Sequence, residues 1–88
     1  MKLDNLTAKQ RHVVDYFFSY VLEHNKWPMM KEYASYAGIS ITAGVGRMLG
    51  ASKKGIMDRE PFRLTPEAMR ELNTIKNNAG KTTVKKTD

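Results

Sequence analysis

Five cations stand in the middle of the chain: Arg47, Lys53, Lys54, Arg59 and Arg63. Over residues 38–63 these five are set against only two carboxylates, Asp58 and Glu60, so much of the formal net charge of +6 resides there. Guanidinium and ammonium groups are charge-assisted donors to phosphate oxygens, and the hydroxyls of Ser40 and Thr42 just upstream are neutral ones. The chemistry this set predicts is sequence-tolerant, salt-sensitive contact with a polyanion, nucleic acid being the commonest. Local roles compete with it. Lys53 and Lys54 fall at an expected helix end, where cations complement the helix dipole. Arg59 and Arg63 flank Glu60-Pro61-Phe62 and can straddle a phosphate or pair with Asp58 and Glu60. Lys81, Lys85 and Lys86 add a diffuse positive field near the end of the chain or serve solubility.

The stretch Tyr33–Gly55, YASYAGISITAGVGRMLGASKKG, places Gly44, Gly46 and Gly50 in what the pattern makes a helix. Each interior glycine costs a helix about 0.8–1 kcal/mol relative to alanine, so the three cost on the order of 2–3 kcal/mol. Three explanations are open. Ala43, Gly46 and Gly50 share one helix face and would let another backbone come very near, whether a phosphodiester chain, a second copy of this helix or another protein. The helix could instead end near Gly46 or Gly50. Or the segment has lost any need for reading side chains and drifts.

Other chemistries find no residues. Cysteine is absent, so thiolate metal sites and disulfides are excluded. His12 and His24 are about three helical turns apart and cannot share a metal ion. GVGRMLG approaches a phosphate-cradling glycine motif but no strand precedes it. No Ser–His–acid set suggests itself, so the expectation is a non-enzyme with no cofactor and no metal. Trp27 reads as a cap on the core, while Tyr16, Tyr20 and Tyr36 either rim the core or form an exposed aromatic patch.

The elements that must position these residues are legible from local signals. With 88 residues the chain makes one domain, expected over 1–78, followed by a disordered basic tail over 79–88. Thr7 and Gln10 fit a capping box, so a first helix begins at Ala8. Val13, Val14, Phe17, Phe18, Val21 and Leu22 form its apolar stripe, and Asn25 and Pro28 end it. Met30, Tyr33, Ala34 and Ala37 give a second helix, stopped by Gly38 with Ile39 plugging the turn. Ser40 or Thr42 caps a third helix, with Val45, Met48, Leu49 and Ser52 expected inward and Gly55 as its stop. Ile56–Arg59 and Phe62–Leu64 read as a hairpin around Glu60-Pro61. Thr65 and Pro66 open a fourth helix, with Leu64 and Met69 as a staple and Met69, Leu72 and Ile75 as its apolar side.

LTAKQRHVVDYF, then WPMMKEYASYAGIS, then a helix closing with KKGIM, resembles the DNA-binding domain of LexA-type repressors over roughly residues 5 to 64. FRLTPEA likewise resembles the exit from the wing of winged helix regulators. The resemblance implies a mainly α winged helix-turn-helix: a three-helix core, a two-stranded wing and an extra C-terminal helix. It implies a third helix in the major groove of double-stranded DNA, with Ile41, Ala43, Gly44, Gly46 and Arg47 at the positions that meet bases. Of these only Arg47 can hydrogen-bond a base edge. Ser40, Thr42, Lys53, Lys54, Arg59 and Arg63 then hold the backbone. The function expected is a small transcriptional repressor or accessory regulator acting by occupancy, cytoplasmic and nucleoid-associated, with no signal peptide and no membrane span. Useful specificity for so small a domain requires a homodimer or a co-regulator. The alternative is a protein-interaction module on the same fold, such as a mobile-element protein that inhibits or redirects a host protein through the Ala/Gly helix face and the tyrosines.

Overall fold

The computed structural model describes the backbone of residues 2–87 and the side chains of residues 2–78. Four helices and one hairpin follow in the order α1 (Ala8–His24), α2 (Met30–Ala37), α3 (Ile41–Lys53), β1 (Met57–Asp58), β2 (Arg63–Leu64) and α4 (Pro66–Thr87). A 3-10 turn, Lys2–Asn5, precedes them. This is a winged helix-turn-helix architecture with an added C-terminal helix.

The signals at the helix ends act as expected. Thr7 Oγ1 accepts from Gln10 N–H at 3.2 Å and Gln10 Oε1 accepts from Thr7 N–H at 3.1 Å, closing the capping box. Asn25 and Gly38 take left-handed conformations, φ 56° and 69°, and end α1 and α2. Without a Cβ, Gly38 enters that region at little steric cost, which lets α3 turn back across α2 within three residues. A cap at α2 was not foreseen: the Glu32 carboxylate accepts from Met29 N–H at 2.8 Å.

The core is built on α1. Val13, Val14 and Phe17 are fully buried and Phe18 nearly so, and they meet Tyr33, Met48, Ala51, Ile56, Leu64 and Leu72 from the other elements. Each large side chain removed from water there contributes about 1.5–3 kcal/mol before entropic costs. Leu22 and Met30, expected inward, are exposed. The strands are shorter than the sequence pattern suggested, two residues each, antiparallel, with Met57 opposite Leu64 and Asp58 opposite Arg63. Ile56 belongs to the turn before them. Its N–H donates to Ala51 O and its carbonyl accepts from Thr65 N–H, tying α3 to the start of α4.

The N-terminal 3-10 turn was not expected. Leu3 is buried, its N–H donates to Glu71 at 3.3 Å, and Lys2 pairs with Glu67 at 3.4 Å, so it clamps α4. Among the described residues of α4, Ala68 and Leu72 are buried, with Met69 packed beside them; Ile75, expected inward, is exposed. The disordered tail expected over 79–88 falls on residues whose side chains lie outside those described. Among the described residues no helix is long and apolar enough to cross a membrane.

Candidate nucleic-acid interface

α3 runs unbroken from Ile41 to Lys53, so it does not end at Gly46 or Gly50. Ser40 is its cap: Oγ accepts from Ala43 N–H at 3.1 Å. The inward face is Gly44, Met48 and Ala51, with Val45, Leu49 and Ser52 half-buried beside it. The expected inward set is therefore rotated. The cause is Gly44, which seats the α3 backbone so close to α2 that a Cβ there would touch Tyr33 Cδ2 at 3.4 Å and Ala34 Cβ at 3.7 Å.

The supposed close-approach face divides accordingly. Ala43 and Gly46 are exposed, and a Cβ on Gly46 would meet nothing within 4 Å. Gly50 does not belong with them. A Cβ there would clash with Gln10 Nε2, so its bareness serves approach to the chain's own first helix. What faces outward is a lean ridge of Ile41, Thr42, Ala43 and Gly46, with Arg47 half-buried and Lys53 exposed along it.

Arg47 is anchored. Its Nη1 donates to the Tyr33 hydroxyl at 2.9 Å, and that oxygen lies 2.8 Å from His12 Nδ1. Tyr33 is fully buried and His12 is exposed. A guanidinium held by one nitrogen keeps its other donors for a partner. Sequence reasoning could not find this link, since it joins residues on three helices.

The other expected phosphate ligands are unequally placed. Lys53 and Arg59 are exposed. Arg63 stands across the hairpin from Asp58, Nε to Oδ2 3.6 Å, an exposed pair of the kind that contributes about 0–1 kcal/mol and yields readily to a stronger anion. Lys54 turns inward. Its Nζ donates to Asn5 O at 2.5 Å and Gln10 Oε1 at 2.8 Å, so it fastens the end of α3 to the start of α1. That corrects its expected place in an outward cluster. Ser40 commits Oγ to the cap, leaving its O–H proton as the only donor for a phosphate, and Thr42 is exposed.

A second surface lies along α1. His12, Tyr16, Tyr20 and His24 recur every four residues; Tyr16, Tyr20 and His24 pack ring to ring in sequence, and Tyr36 of α2 bridges His12 and Tyr16. Tyr16 and Tyr36 are 4.6 Å apart between centroids, and Tyr36 is 65% exposed. Tyr20 donates to Glu32 at 2.9 Å. Burial, then the nearby Glu32 charge, raises the Tyr16 pKa, and the bond to Glu32 raises that of Tyr20. Glu32 is lowered by the Met29 N–H first and the Tyr20 hydroxyl next. Trp27 is half-buried and stacks on Phe17 at 6.3 Å, as a cap on the core. Among the described residues no three histidine, aspartate or glutamate side chains gather as a metal site.

No protein-family model matches the chain, and no solved structure matches it significantly. Over 60 residues, 67% of its length, the chain is 35% identical to LexA repressor 2 of Geobacter sulfurreducens. The likeness is to a LexA-type domain. The chain spans 30% of that repressor's length, so it corresponds to a part of it.

Proposed function

We propose that this chain is a DNA-binding transcriptional regulator of the repressor type, docking α3 on duplex DNA and acting by occupancy. The observation that carries the reading is the outward ridge of α3: small side chains at Ala43 and Gly46, a tethered Arg47 and a free-standing Lys53, beside a wing bearing Arg59 and Arg63. The similarity to a protein named as a repressor supports it. The lean ridge lets the helix backbone come close to the duplex, and Arg47 reaches bases or phosphates. Thr42, Lys53, Arg59, Arg63 and the Ser40 hydroxyl proton hold the phosphate backbone, while Lys54 fixes the helix rather than touching DNA. Specific action requires a homodimer or co-regulator, since one such domain reads few base pairs. The test is an anisotropy titration of a duplex with Lys53→Ala, Arg59→Ala and Arg63→Ala. Each weakens binding across unrelated sequences and reduces its salt dependence. Variants that bind like the parent would remove the interface.

A second reading has its own observation, the exposed ring array on α1. Stacked tyrosines beside Asp15, Glu23 and Glu32 suit a protein partner presenting cations, which aromatic faces and carboxylates both attract. Tyr36→Ala together with Tyr16→Ala would abolish such a contact and leave duplex binding intact.

A further inference from the structure

The Arg47 guanidinium can only donate, so the Tyr33 oxygen must accept from it. Tyr33's own proton then needs an acceptor, and the group within reach is His12 Nδ1 at 2.8 Å. That arrangement requires a neutral His12 whose proton sits on Nε2. We propose that His12 and Tyr33 are positioning residues for Arg47, and that protonation of His12 releases the guanidinium from its place on α3. The inference rests on the reading of α3 as the DNA-facing helix.

Three features of the geometry support it. Tyr33 is fully buried while His12 is exposed, so a proton from solvent reaches the imidazole and its effect passes through the hydroxyl. Protonation turns Nδ1 into a donor, which deprives the Tyr33 proton of its acceptor. It also brings a second cation to the hydroxyl that holds Arg47. The groups around His12 leave this unopposed. On α1, Asp15 is engaged by Arg11 at 2.8 Å, and Tyr16 lies one turn on. From α2 come the rings of Tyr33 and Tyr36, and α3 contributes Arg47 through Tyr33. Among the described residues no carboxylate is bonded to the imidazole to stand in for the lost acceptor. A tethered guanidinium meets DNA with less ordering cost than a loose one, and acid removes that advantage.

The test compares the parent with Arg47→Ala on one short duplex at fixed low salt, from alkaline to acidic pH. Taking the ratio of their affinities cancels any direct pull of a charged His12 on DNA. The ratio is expected to be roughly tenfold when His12 is neutral and to shrink towards unity in acid. In His12→Gln it no longer varies with pH. In Tyr33→Phe the further change Arg47→Ala costs little, because the hold is already gone. A ratio that stays constant with pH in the parent, or one undiminished in Tyr33→Phe, would overturn the proposal. Nitrogen NMR of the free protein separates this from failure of the DNA reading. If the parent binds no duplex, that reading falls. The relay then stands if neutral His12 carries its proton on Nε2, and fails if the proton is on Nδ1.

Discussion

Gly50 lies so close to Gln10 that the Cβ it lacks would collide with the glutamine Nε2. That amide is not idle. Gln10 closes the α1 capping box and receives Lys54, so one side chain joins the start of α1 to the end of α3. The glycine keeps the space this junction occupies.

Alanine at Gly46 and alanine at Gly50 should therefore diverge. At Gly46 nothing blocks a Cβ, and Gly46→Ala should stabilise the fold by about 0.5–1 kcal/mol from helix propensity. At Gly50 the same gain is offset by displacing Gln10, since a lost cap costs about 0.5–2 kcal/mol. Urea midpoints compare the two directly. An equal rise in both would show that Gln10 yields without cost.

Gly46 also separates close approach from drift. A large side chain there, as in Gly46→Leu, leaves the core untouched because the position is open to solvent. If the ridge lies against DNA, duplex affinity should drop by tenfold or more, about 1.4 kcal/mol, with no loss of thermal stability. Unchanged affinity would mean that this face is not apposed to the duplex.

Phe17 is the centre of the core and is fully buried. Phe17→Ala should cost about 3–5 kcal/mol, a large part of what a domain of this size holds. Circular dichroism should show a chain largely unfolded at room temperature. A cooperative melt within a few degrees of the parent would contradict the packing.

Glu32 contributes to the acid sensitivity of the fold. Its carboxyl is held below the ordinary glutamate value, by the Met29 N–H foremost. A folded-state pKa below the unfolded one means that the stabilisation is complete above the unfolded value and is lost as pH falls through the folded one. Glu32→Gln should lower stability at neutral pH and flatten the decline in acid. Parallel stability curves for parent and variant below about pH 5 would exclude this role.

How much of this was legible follows the range of the interactions. Thr7, Gln10, Asn25, Gly38 and Ser40 act on their own neighbours, and their residue types announce the helix ends they make. The inward face of α3 is not legible because Gly44 offers no side chain to a periodicity argument, yet a Cβ there would touch Tyr33 and Ala34. Leu3 is a single apolar residue among polar ones, and only its burial beside α4 reveals the N-terminal turn. The charge excess of the cation cluster is legible in the sequence, but its division between outward and inward residues is not. Lys54 and Gln10 are far apart in sequence, as are Arg47 and Tyr33, and no local pattern records either bond.

The salt dependence of duplex affinity tests the central claim most directly. With Arg47, Lys53, Arg59 and Arg63 meeting phosphates, the logarithm of the association constant should fall against the logarithm of salt with a slope of about −3 to −4. Removing Lys53 or Arg59 should each make it shallower by about one. A duplex affinity indifferent to salt, or a slope that none of these substitutions changes, would contradict the assignment of this ridge and wing as the DNA-binding face.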